Sequence, residues 1–66
     1  MIDYQKAVCE LRDKLVMTQT EFAKYLGVSF ASINRWENGT NKPTTSVKKK
    51  IVALCKENNI KLEEKE

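Results

Sequence analysis

The stretch from Gln19 to Gly39, QTEFAKYLGVSFASINRWENG, limits the folds open to this chain more than any other. Phe22, Ala23 and Leu26 fall on one face at helical spacing, and Val28, Ile33 and Trp36 give the following residues an apolar side. Between them lies Gly27, directly after Leu26, where a chain leaving a helix commonly takes a left-handed φ that glycine adopts without steric cost. Ala23 is small where the two segments would cross, which allows close backbone approach. Thr18-Gln19-Thr20-Glu21 has the capping-box form T-x-x-E and predicts a helix start at Gln19. Ser29 is the expected N-cap of a second helix ending at Asn38, with Gly39 as its left-handed cap. The pattern predicts two short helices joined by a tight turn.

The flanks extend the helical reading. Asp3 is a good N-cap for a helix from Tyr4 to about Lys14, and Tyr4, Val8, Leu11 and Leu15 form one apolar stripe along it. Thr40 to Pro43 reads as a loop. A fourth helix should begin at Thr44 or Thr45, carry Val47, Ile51, Leu54 and Cys55 inward, and end near Asn58-Asn59. Residues 60–66 leave room for at most a turn or two of a fifth helix. The expected fold is all-α, a compact four- to five-helix bundle. Sixty-six residues make one domain, assigned to residues 1–62 with 63–66 as a short acidic tail. The net charge is +3; the last four residues carry −2, which leaves +5 on residues 1–62 and tilts the folded part toward an anionic partner.

Composition removes whole classes of function. A chain this short cannot wall a substrate pocket on all sides. There is no His, and no clustered carboxylate or nucleophile constellation, so enzyme chemistry has nothing to rest on. Cys9 and Cys55 lack CxxC spacing and cannot supply a four-ligand zinc site; two buried, reduced thiols are expected rather than a disulfide. No cofactor, metal or small-molecule ligand is expected. No apolar run reaches signal-peptide or membrane-helix length, so a cytoplasmic protein with no membrane partner is expected.

The segment resembles the helix-turn-helix of the phage Cro and repressor proteins and of bacterial regulators of the xenobiotic-response-element class. The matching residues are Arg12 in a Leu-Arg pair, Thr18-Gln19, Phe22-Ala23, Leu26-Gly27-Val28, Ser32-Ile33 and Trp36-Glu37-Asn38-Gly39. With the flanking helices the likeness covers about residues 4–58. It implies a lambda-repressor-like domain that places its third helix in the DNA major groove. The family usually adds a fifth helix near its dimerisation surface, and this chain is short there.

At roughly 100° per residue, Ile33 and Trp36 share the inner face of that helix, while Phe30, Ala31, Asn34 and Arg35 face outward. Arg35 has the donor fork that matches guanine O6 and N7, Asn34 suits adenine or a phosphate, and Phe30 and Ala31 suit thymine methyls. Phe30 has an alternative place, tucked into the core. The resemblance points to Ser29, Phe30, Ala31 and Arg35 as base-contacting residues. Gln19, at the amino end of the second helix, is placed for a phosphate by the free N–H groups and helix dipole there, and Thr45 and Ser46 are candidates for the same reason. The resemblance puts Asn38, Thr40 and Lys42 in a loop that follows the sugar-phosphate strand. It also pairs Arg12 with Glu37 as a tie between recognition helix and scaffold, with Arg12 close to phosphate as well. Gly27, Ile33, Trp36 and Glu37 are read as structural. Lys48, Lys49 and Lys50 cannot all face one strand, and at least two are read as a solubilising surface.

The leading expectation is therefore a sequence-specific double-stranded DNA-binding protein, a prokaryotic or phage transcriptional regulator, with a homodimer as the natural form on DNA. The alternatives are an antitoxin-like or adaptor interaction module, and the DNA-binding domain of a larger protein. Met1 at one end and the charged tail at the other read as a complete small protein.

Overall fold

The computed structural model describes residues 2–63 and consists of four helices, α1 (Tyr4–Lys14), α2 (Gln19–Leu26), α3 (Phe30–Glu37) and α4 (Thr45–Glu57). Their starts follow from side-chain caps. Asp3 Oδ1 accepts from the Lys6 N–H at 3.1 Å, and Ser29 Oγ accepts from the Ser32 N–H at 3.2 Å. Thr18 and Glu21 complete the reciprocal box, Thr18 Oγ1 accepting from the Glu21 N–H and Glu21 Oε1 from the Thr18 N–H. The α4 start at Thr44 differs: it has no side-chain cap hydrogen bond.

All four helices end in the same way. At each carboxyl end the N–H of a left-handed residue reaches back three residues and the next N–H reaches back five, the paired bonds of a Schellman motif. Gly27 (φ 74°) and Val28 do this after α2, and Gly39 (φ 76°) and Thr40 after α3. Asn59 (φ 58°) and Ile60 do it after α4, and Val16 (φ 56°) and Met17 after α1. Three of these left-handed positions hold glycine or asparagine, residues that tolerate such a φ. Val16 does not belong to that set: a β-branched side chain at positive φ is strained, and it is 88% exposed, so packing offers no compensation. Val16→Asn is therefore expected to raise the unfolding free energy by up to about 1 kcal/mol in a urea titration. A decrease would mean that the Val16 side chain makes a stabilising contact that offsets its strained φ.

α1 packs against both α3 and α4, and α2 packs against α3. Val8, Leu11, Phe22, Ile33, Ile51 and Cys55 are fully buried at the centre, with Ala7, Ala23, Leu26, Trp36 and Val47 around them. Tyr4, Leu15, Val28 and Leu54 lie at the edge of this core. Burying a side chain such as Phe22 or Ile33 contributes on the order of 2–3 kcal/mol each, and it holds α3 on the α1–α2 platform. Lys50 Nζ donates to the Leu26 carbonyl at 3.4 Å, supplying a cation at the end of α2.

Several expectations need correction. α3 ends at Glu37, with Asn38 as the capping residue rather than the last helical one. Residues 60–63 form no fifth helix: the left-handed turn at Asn59 redirects the chain, and Ile60 and Leu62 pack on the core in a segment without regular secondary structure. That segment ends with the Glu63 carbonyl accepting from the Asp3 N–H at 2.8 Å and the Glu63 carboxylate paired with Lys6. The rest of the acidic tail, residues 64–66, lies outside the described residues. Both cysteines are free thiols, but only Cys55 is buried; Cys9 is partly exposed.

Candidate nucleic-acid interface

Glu37, at the end of α3, joins three helices. Its carboxylate accepts from Arg12 Nε at 2.6 Å and Arg12 Nη2 at 3.0 Å, a two-pronged ion pair from α1. Arg12 Nη1 also donates to the Met17 carbonyl at 3.1 Å, so the guanidinium ties α1, the α1–α2 turn and α3 together. Gln19 Nε2, from the first turn of α2, donates to Glu37 Oε1 at 3.2 Å. The Glu37 backbone carbonyl accepts from Gln5 Nε2 at 3.0 Å. The Arg12 side chain is 28% exposed and that of Glu37 only 9%. Burial pushes the Glu37 carboxyl upward, but hydrogen bonds from Arg12 and Gln19 outweigh it and hold the group below its ordinary value. The same bond raises Arg12 further. Burial, followed by the nearby Glu37 charge, pushes the Cys9 thiol up and keeps it protonated.

From Glu37 the bonding continues to the outward side of α3. Gln19 Oε1 accepts from Asn34 Nδ2 at 3.5 Å, and Asn34 Oδ1 accepts from Asn38 Nδ2 at 2.7 Å. The relay Arg12–Glu37–Gln19–Asn34–Asn38 thus fixes side chains from α1, α2 and α3 relative to one another. Asn34 retains one N–H and one lone pair for a further partner.

Along the same outward row Phe30 is 50% exposed, out of the core, and Ala31 and Arg35 are exposed. Ile33 and Trp36 are buried on the opposite face. Ser29 is exposed, but its hydroxyl serves as the α3 cap and bonds the Ser32 hydroxyl at 3.0 Å. Thr40, Asn41 and Lys42 are exposed, and the Thr40 and Asn41 N–H groups converge on the Arg35 carbonyl at 2.9 and 3.5 Å, which fixes the loop against α3. At the α2 start the capping box uses the Glu21 N–H, while the Gln19 and Thr20 N–H groups have no partner among the described residues. At the uncapped α4 start the same is true of the Thr45 and Ser46 N–H groups, and Thr45 and Ser46 are exposed with no acid in that turn. Two helix ends therefore present N–H groups able to bind an anion. Of the three consecutive lysines on α4, Lys50 caps α2, Lys48 lies over the Tyr4 ring at 5.1 Å, and Lys49 is exposed.

Sequence reasoning missed three of these features. Gln5 gave no signal, because a single glutamine on an amphipathic helix is unremarkable until its partner is known. The Asn34–Asn38 link has the i, i+4 spacing at which side chains meet on a helix and was legible in principle. The uncapped Thr44 was not, since threonine is a normal N-cap. Among the described residues no three potential metal ligands cluster, and no helix is long and apolar enough to cross a membrane.

No curated protein and no solved structure matches the chain. Residues 10–64 match the family model described as helix-turn-helix, a span that begins within α1 and takes in Arg12, Gln19 and Glu37, the outward row of α3, and α4. The chain belongs to the Cro and phage-repressor type of helix-turn-helix family, DNA-binding domains of the xenobiotic-response-element class.

Proposed function

We propose that this protein is a cytoplasmic transcriptional regulator that binds a specific double-stranded operator, reading the major groove with α3. The observation that carries this reading is the outward row of α3. Phe30, Ala31, Asn34 and Arg35 offer donors, an acceptor and apolar surface to base edges, and the acid beside them, Glu37, has its carboxylate largely covered and paired with Arg12. An exposed carboxylate there would repel phosphate; this one does not. Phe30 with Ala31 is too small an apolar area for a protein-binding face on this helix.

Phosphate contacts would set the register without reading sequence. They fall to Gln19 at the α2 start, to Asn38, Thr40 and Lys42 after α3, to Thr45 and Ser46 at the α4 start, and to the remaining N–H groups of Arg12. A domain this small presents a limited interface, so a homodimer on inverted half-sites is the form expected on DNA.

Ser46→Glu separates binding from folding. An acid in the first turn of a helix favours the positive end of its dipole, so the variant should be as stable as the parent or more so, by roughly 0.3–1 kcal/mol. The same carboxylate would face phosphate and should weaken duplex binding about five- to tenfold on every sequence at physiological salt. Fluorescence anisotropy and thermal unfolding of the same samples read the two effects. Unchanged duplex affinity would remove the α4 start from the interface.

A further inference from the structure

α4 has a second face, which meets the DNA-binding reading only at Thr45. An open groove of about 450 Å³ runs along it beside the start of α1, with Tyr4, Val52 and Ala53 forming an apolar floor and Lys48, Lys49 and Lys56 its rim. The core-facing residues of α4 are Val47, Ile51 and Cys55, and Lys50 reaches to α2; Val52, Ala53, Lys49 and Lys56 point away from both. Ala53 is exposed and small, which leaves space over the middle of the groove. The Lys48 ammonium over Tyr4 shapes one wall.

The lining contains three cations and no acid. In a two-fold dimer through this face the two sets of three lysines would be brought together, six like charges around an apolar seam. A second copy of the chain therefore fits poorly. Nucleic acid fits poorly as well, because a phosphate strand gains nothing from a floor of Tyr4, Val52 and Ala53. What fits is a segment with carboxylates on both sides of a bulky apolar side chain.

We propose that the α4 groove docks an acidic amphipathic segment of a partner protein, its apolar residue seated over Ala53 and its carboxylates against Lys48, Lys49 and Lys56. Nothing in this proposal depends on α3 reading DNA. Such docking would give the DNA-binding domain a protein-operated control.

The test is selection from a display library of short random helical peptides on the full chain, followed by titration of a chosen peptide into isotope-labelled protein. The proposal expects enriched peptides with net negative charge around an aromatic or leucine, and amide shifts concentrated at Tyr4, Lys48, Lys49, Val52, Ala53 and Lys56. Ala53→Arg should cost at least about tenfold in peptide affinity, as should the double change Lys49→Glu with Lys56→Glu, which leaves the floor intact should Ala53→Arg disturb folding. Peptides with no acidic bias, shifts elsewhere, or no enrichment would overturn it. A dimer of the free chain that Ala53→Arg dissolves would identify a second copy as the occupant and overturn it too. Loss of duplex affinity in the double variant, with peptide binding unaffected, would make the groove a nucleic-acid wall.

Discussion

Glu37→Ala is expected to lower the unfolding free energy by roughly 2–4 kcal/mol, because it leaves Arg12 and Gln19 partly buried without their acceptor. For 66 residues a total stability of roughly 3–10 kcal/mol is usual, so the variant should be close to unfolding at growth temperature. Urea titration measures it, and a loss under about 0.5 kcal/mol would show that the hub is a solvated surface pair. The effect also has a pH signature. The Glu37 carboxyl is held below its ordinary value in the fold, so the stabilisation is fully present above about pH 4.3, the ordinary value for glutamate, and is lost as pH falls through the depressed folded value. The alanine variant should lack that acid-side loss. Below its melting point it should also bind duplexes more weakly, because Gln19 and Asn34 lose the anchor that orients them.

Arg35→Ala should have the second large effect, on binding alone. The side chain is exposed, so folding should change by less than about 0.5 kcal/mol. On the preferred operator the loss of a forked contact to a base should cost roughly 1–3 kcal/mol, and preference at one base step should relax. Random duplex should be bound nearly as before. Lys42→Ala provides the contrast: affinity should fall on all sequences alike, and the slope of log affinity against log salt should become shallower by about one unit. If the two variants lose affinity in the same pattern, Arg35 does not read a base.

The helix starts were legible because capping is local: Asp3, Thr18 and Ser29 each act within three residues of themselves. The ends at Gly27 and Gly39 were legible for the same reason, since a glycine after an apolar helical residue marks a left-handed cap. The end at Val16 was not, because nothing in a valine signals positive φ; the strain is imposed by the need to turn α1 into α2. The course of residues 60–63 was hidden as well, since Glu63 bonds to Asp3 and Lys6 at the other end of the chain. At the interface, periodicity separates Ile33 and Trp36 from the outward row. It cannot give the relay through Gln19 and Asn34, which depends on how α2 and α3 cross. Phe30 shows the remaining limit: rotation put it on the flank of α3, and only the packing of neighbouring helices determined that it stays half exposed.

The central claim, that α3 reads a DNA sequence, is tested most directly by selecting bound duplexes from a random pool with the full chain at near-physiological salt. The expected result is enrichment of a short motif, as two inverted copies centred roughly one helical turn apart, and its blurring at one position with Arg35→Ala. A pool that stays random after repeated selection, with wild type and Arg35→Ala retaining the same duplexes, would contradict it.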